Sequence, residues 1–118
     1  MADIMIMDDN VELQEVLTDF LESDAHSVVS AKDFATTREM LPQISPDIAF
    51  LEVGLPDATG LELLPDIKNT HPSARVIVIT GTDNYRVEDL LFEAGPDQFI
   101  RQPFHRTDIQ DSVRKLLA

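Results

Sequence analysis

Ile48-Ala49-Phe50-Leu51-Glu52 runs four apolar residues into a carboxylate, and Gly54, Pro56 and Gly60 follow at once. A short continuous apolar run bounded by turn residues reads as a buried strand, here Ile48–Leu51. The acid that closes it stands at the rim of a sheet, where α/β proteins keep their chemistry. The run Ile4–Met7 has the same form and ends in Asp8 and Asp9. Three carboxylates drawn together repel one another unless they hold a cation or keep a proton.

Working outward, further strands are expected at Ser27–Ser30, Val76–Ile79 and Gln98–Ile100. Val76-Ile77-Val78-Ile79 is continuous and β-branched, as in a strand covered on both faces. Helical stripes alternate with these runs. Leu13, Val16, Leu17, Phe20 and Leu21 form one. Others fit Asp33–Leu41, about Gly60–Thr70, Asp83–Ala94 and Phe104–Leu117, the last burying Ile109, Val113, Leu116 and Leu117. Pro65 is awkward inside the third helix and should delay its start or bend its first turns. Strands alternating with helices imply a parallel sheet wound by right-handed crossovers. The expected fold is a doubly wound, flavodoxin-like α/β sheet of five strands in the order 2-1-3-4-5. Its crevice lies at the carboxyl ends of strands 1 and 3, where Asp8, Asp9 and Glu52 fall.

Composition narrows the function. The 118 residues suffice for one compact domain spanning 1–118, and no repeat or linker divides them. A net charge of −13 argues against nucleic acid or an anionic membrane as a direct partner. No apolar stretch reaches the length of a membrane span, and no signal peptide opens the chain. The absence of cysteine excludes thiolate metal sites and is compatible with a reducing cytoplasm. No nucleophile with an adjacent base and no glycine-rich phosphate cradle is visible, so an enzyme is not expected. His26, His71 and His105 share no metal-ligand spacing and read as surface or packing residues.

Several further residues fall in a telling order. Pro46-Asp47 precedes strand 3, and Leu55-Pro56 and Gly60 follow it. Strand 4 runs into Thr80, Gly95 precedes strand 5, Phe99 lies within it, and Pro103-Phe104 comes after. With Asp8-Asp9, these make the chain resemble, over its whole length, the receiver domains of two-component response regulators, the chemotaxis-regulator type. The resemblance implies a phosphorelay role. An acceptor aspartate at the end of strand 3 takes a phosphoryl group from a sensor kinase. Mg²⁺ is held by the acidic pair, the acceptor and a carbonyl two residues on, here Asp8, Asp9, Glu52 and Gly54. By position Asp9 is the direct ligand and Asp8 acts mainly through water. Thr80 and Phe99 are the switch pair. Kinases, output domains or a second copy meet the face of the fourth helix, fifth strand and fifth helix. Val87, Leu90, Leu91 and Ala94 stripe that fourth helix and leave Phe92 over, which suits either a partner surface or a wider buried face.

Two positions depart from the family pattern. The acceptor is Glu52, and the phosphate-gripping lysine is Gln102. The extra methylene carries the carboxylate forward by roughly 1.5 Å, and in-line phosphoryl transfer depends on position and charge. Glutamine donates a hydrogen bond but brings no cation. The expected function is therefore an atypical receiver acting through protein contacts, with two alternatives. One is a working acceptor using Glu52 or a neighbouring acid with Mg²⁺; the other is an inert dimerisation domain. Glu52 reaching toward Thr80 could hold an active-like state, although it offers less charge and fewer oxygens than a phosphate. Weak Mg²⁺ binding is expected, unless one carboxylate keeps its proton instead.

Overall fold

The computed structural model describes residues 1–53, 63–80 and 95–118. Five parallel strands, β1 (Asp3–Met7), β2 (Ser27–Ala31), β3 (Ile48–Val53), β4 (Arg75–Thr80) and β5 (Gln98–Arg101), lie in the order β2-β1-β3-β4-β5. This is the doubly wound sheet expected from the alternation of apolar runs. Each strand extends a residue or two past the run expected from sequence, because ladder pairing does not depend on an apolar side chain. For β3 this is a correction: Glu52 does not end the strand, which pairs through Val53 with Thr80.

Alternation along the strands builds two cores. On one face Met5, Met7, Ala49, Leu51, Val76 and Val78 pack with Leu41, Leu63, Leu64 and Ile67. On the other, Ile4, Ile6, Ile48, Phe50, Ile77 and Ile79 pack with Leu17, Leu21, Ile109 and Val113. Each of these side chains larger than alanine, fully buried, contributes about 1.5–3 kcal/mol relative to exposure. The second face is covered by α1 (Val11–Ser23) and the C-terminal helix Arg106–Leu117, the first by α2 (Phe34–Met40) and α3 (Leu63–Thr70).

Asn10 caps α1 through a bond from the Leu13 N–H, 3.2 Å, satisfying one of the orphan donors of the first turn. Leu17 and Leu21 centre its buried face, so Val16, expected in that stripe, is turned roughly 120° away and is 42% exposed. Asp33 is the N-cap of α2 rather than its first residue. Beyond Met40 the chain tightens into a 3₁₀ turn, Leu41–Gln43, because Pro42 has no N–H for the α-helical ladder. Pro65 lies in the first turn of α3 as described; the start expected near Gly60, and the whole fourth helix at Asp83–Ala94, fall outside the described residues. The C-terminal helix starts at Arg106 rather than Phe104, and its N-cap is His105, whose N–H donates to Asp108 Oδ2 at 2.8 Å.

Asp97 stitches the amino-terminal edge of the sheet. Its Oδ2 accepts from Lys68 Nζ at 2.8 Å and from the Val76 N–H at 2.7 Å, while Lys68 also reaches the Ala74 carbonyl. Burial pushes the Asp97 carboxyl up, but Lys68 and the Val76 N–H outweigh it and hold it below the usual value. A carboxyl depressed on folding adds stability above its unfolded value and loses it as pH falls through the folded one. Asp97→Ala is expected to cost about 1–3 kcal/mol in urea unfolding at neutral pH. That difference should shrink in acid.

Candidate functional site

The register carries the sequence-predicted acids to one rim. Met7 pairs with Leu51 and with Ala31, so the residues just beyond Met7 stand beside the end of β3. The Asp8 N–H donates to the Ala31 carbonyl at 3.0 Å. Asp8 is only 1% exposed. Its Oδ1 accepts from the Asn10 N–H at 2.8 Å. Its buried Oδ2 has no conventional donor among the described residues. Asp9 is exposed and Glu52 half-buried. One oxygen from each of Asp8, Asp9 and Glu52 lies within 4.8 Å of the others.

Such crowding is resolved by a proton. Burial first, then the hydrogen bond and charge of Asp8, and then Asp9, push the Glu52 carboxyl up to about 8. Asp8 is raised as well by burial, with the Asp9 charge adding to it, while hydrogen bonds from Glu52 and the Asn10 N–H pull it down. Both carboxyls are raised, and the pair shares one proton between Glu52 and Asp8. A hard divalent cation would satisfy the same oxygens. Three carboxylates with oxygens within 4.8 Å of one another make a suitable donor set for Mg²⁺, which takes oxygen ligands. Asp8, Asp9 and Glu52 would hold it; Gly54, expected to add a carbonyl, lies outside the described residues.

Thr80 closes β4, and Phe99 lies within the neighbouring β5. Val78 pairs with Phe99, and alternation from Val78 puts Thr80 on the same face of the sheet as Phe99. Thr80 is fully buried, and its carbonyl accepts from the Gln102 N–H at 2.7 Å. Phe99 packs against the apolar cluster that includes Val76 and Val78, with the Arg101 guanidinium 6.0 Å from its ring centroid. Gln102 stands one residue beyond the row formed by Val53, Thr80 and Arg101, and its peptide bond to Pro103 is cis. Its Nε2 is buried without an acceptor among the described residues.

One residue of the site escaped the sequence reading. Gln14, half-buried on α1, donates from Nε2 to the Asp8 carbonyl at 2.6 Å and the Ala31 carbonyl at 2.9 Å. The signal was present: Gln14 precedes Leu17 by one turn and Leu21 by two, a polar residue on the buried side of the helix.

An acid cluster at the carboxyl ends of β1 and β3, with a hydroxyl closing β4 and an aromatic within β5, defines a receiver-type signalling domain. Residues 4–114 match the response regulator receiver domain family, and the chain belongs to it. It is similar to the virulence transcriptional regulatory protein PhoP of Salmonella typhimurium, 27% identical over 117 residues, covering 99% of this chain and 52% of PhoP. The transcriptional regulatory protein PhoP of Escherichia coli is 26% identical over 114 residues, covering 97% and 51%. The chain thus spans about half the length of these curated relatives. Among solved structures, the receiver domain of NtrX from Brucella abortus superposes with a TM-score of 0.87 at 27% identity, covering 98% of each chain. A CheY-like receiver domain protein from Methanospirillum hungatei JF-1 gives 0.88 at 24% identity over 98% of this chain and 94% of its own, a likeness of fold. Receiver domains commonly bind Mg²⁺ at such a cluster and interact with kinases and output domains. Among the described residues, no helix is long and apolar enough to cross a membrane.

Proposed function

We propose that residues 1–118 act as one atypical receiver domain in a cytoplasmic two-component pathway, signalling by protein contact without ordinary aspartyl phosphorylation. The observation that carries this reading is Glu52, bound into a proton-sharing acid cluster at the acceptor position. Gln102 supports it, offering a neutral amide where the family pattern has a cation. The domain is not an enzyme. Its partner is a sensor kinase, an output domain or a second copy, meeting the side that includes β5 and the C-terminal helix. A Glu52 that keeps its proton to about pH 8 lacks the charge needed to imitate a phosphoryl group. This favours an inert, phosphate-independent state over a permanently active-like one when no cation is bound.

The second reading, a working acceptor, draws on the intact set of three carboxylates. Intact-mass measurement after incubation with Mg²⁺ and a small phosphodonor separates the two. The chain is expected to keep its mass. Addition of one phosphoryl group would overturn the phosphate-independent reading and make Glu52 or a neighbouring acid an acceptor.

A further inference from the structure

We propose that Gln14 is a positioning residue of the acidic site: its side-chain amide clamps the Asp8 carbonyl, just past β1, to the Ala31 carbonyl, the last of β2, and thereby sets where Asp8 and Asp9 point. Its consequence for cation binding rests on the reading of the cluster as a metal site; the positioning itself does not.

Beyond the last paired residues, Met7 and Ala31, the ladder no longer holds β1, yet the Asp8 peptide groups remain held on both sides. The Asp8 N–H is bonded to the Ala31 carbonyl. The Asp8 carbonyl, which lies in the peptide plane leading to Asp9, is bonded to Gln14 Nε2. The second Nε2 hydrogen goes to that same Ala31 carbonyl, closing a ring of Gln14, Asp8 and Ala31. Asn10 pins one carboxylate oxygen of Asp8, and the other is left to the acid cluster. Gln14 is rooted one turn before the buried Leu17, so α1 supplies both the cap and the clamp. A side chain without donors here leaves the Asp8 carbonyl without that partner and frees the peptide plane that aims Asp9. Groups that hold ligands from behind commonly change metal affinity about 10- to 100-fold when removed.

The test compares the parent with Gln14→Leu, which has no donors, Gln14→Arg, which restores them, and Asp97→Ala, which weakens the opposite edge. Native-state hydrogen exchange without any metal reads the Asp8 and Asn10 amides against Val78 in the core. In Gln14→Leu, exchange at Asp8 and Asn10 should rise at least about tenfold more than at Val78, a local opening distinct from global unfolding. Gln14→Arg should recover most of that protection, and Asp97→Ala should show no such local excess. Exchange in Gln14→Leu that rises equally at all three amides would reduce Gln14 to a general stabiliser and overturn the proposal. Should Gln14→Leu fail to fold, Gln14→Asn, whose amide is withdrawn by one methylene, is judged by the same comparison. Mn²⁺ titration is the second readout, with affinity expected to fall about tenfold in Gln14→Leu. A parent that does not bind Mn²⁺ would sink the metal reading, while hydrogen exchange still decides the role of Gln14.

Discussion

In cation-free buffer, the domain should lose stability as pH rises from about 4.5 to about 8, and Glu52→Gln should remove that loss. The sign follows from the proton count. Unfolded Glu52 ionises near 4.5, whereas the folded carboxyl keeps its proton to about 8. Between those values the unfolded state binds fewer protons, so stability falls with rising pH and levels off above the folded value. Glutamine cannot ionise, and its amide can still donate to Asp8. At alkaline pH the variant should therefore be more stable than the parent by about 2 kcal/mol, after allowing for solvent screening of a half-buried group. Urea unfolding with a chelator present, at about pH 5 and about pH 9, reads both slopes. Equal slopes in parent and variant would place the proton elsewhere. Magnesium should flatten the parent's slope if the cluster binds it, because a bound cation displaces the proton that ionisation removes.

The larger expected gain is chemical. The double variant Glu52→Asp, Gln102→Lys should take up one phosphoryl group from a small donor with Mg²⁺, under conditions where the parent takes up none. Aspartate withdraws the nucleophile by one methylene, and misplacements near 1 Å are worth on the order of 100-fold in rate. Lysine restores a cation for the developing charge on the phosphoryl oxygens, the main contribution a protein makes to such a transfer. The scaffold for both changes is in place. The Gln102 N–H is fixed to the Thr80 carbonyl, and its side-chain nitrogen is already buried. Each single variant should label far more weakly than the pair, since position and charge act on the same step. A silent double variant would mean that the obstacle lies beyond these two side chains.

Much of this arrangement is legible in the chain itself. Continuous apolar runs such as Val76–Ile79 identify strands buried on both faces, and their alternation with helical stripes dictates a parallel sheet. From there, Asp8, Asp9 and Glu52 had to share a rim, because the 2-1-3 order puts the carboxyl ends of β1 and β3 side by side. Other features depend on three-dimensional detail that periodicity does not encode. Val16 fits a generous stripe but faces solvent, since the buried arc of α1 is centred on Leu17 and Leu21. Glu52 looked like a terminus because burial changes there, whereas backbone pairing continues for another residue. Gln14 was hidden because its partners are backbone carbonyls, which carry no mark in the sequence. The proton shared by Glu52 and Asp8 is a matter of ångströms and burial, beyond the reach of residue spacing.

The acid–lysine stitch at Asp97, before β4 and β5, and the carboxylate crowd at Glu52, beyond β1 and β3, sit at opposite ends of the same sheet. They answer to pH in opposite directions. Acid weakens the first by protonating Asp97; alkali weakens the second by stripping the proton from Glu52. The end of the sheet expected to yield first therefore depends on the solvent: the amino-terminal edge in acid, the acidic rim in base. Between those limits the sheet is pinned at both ends, and a partner or cation that neutralises the rim would extend that window upward without touching the core.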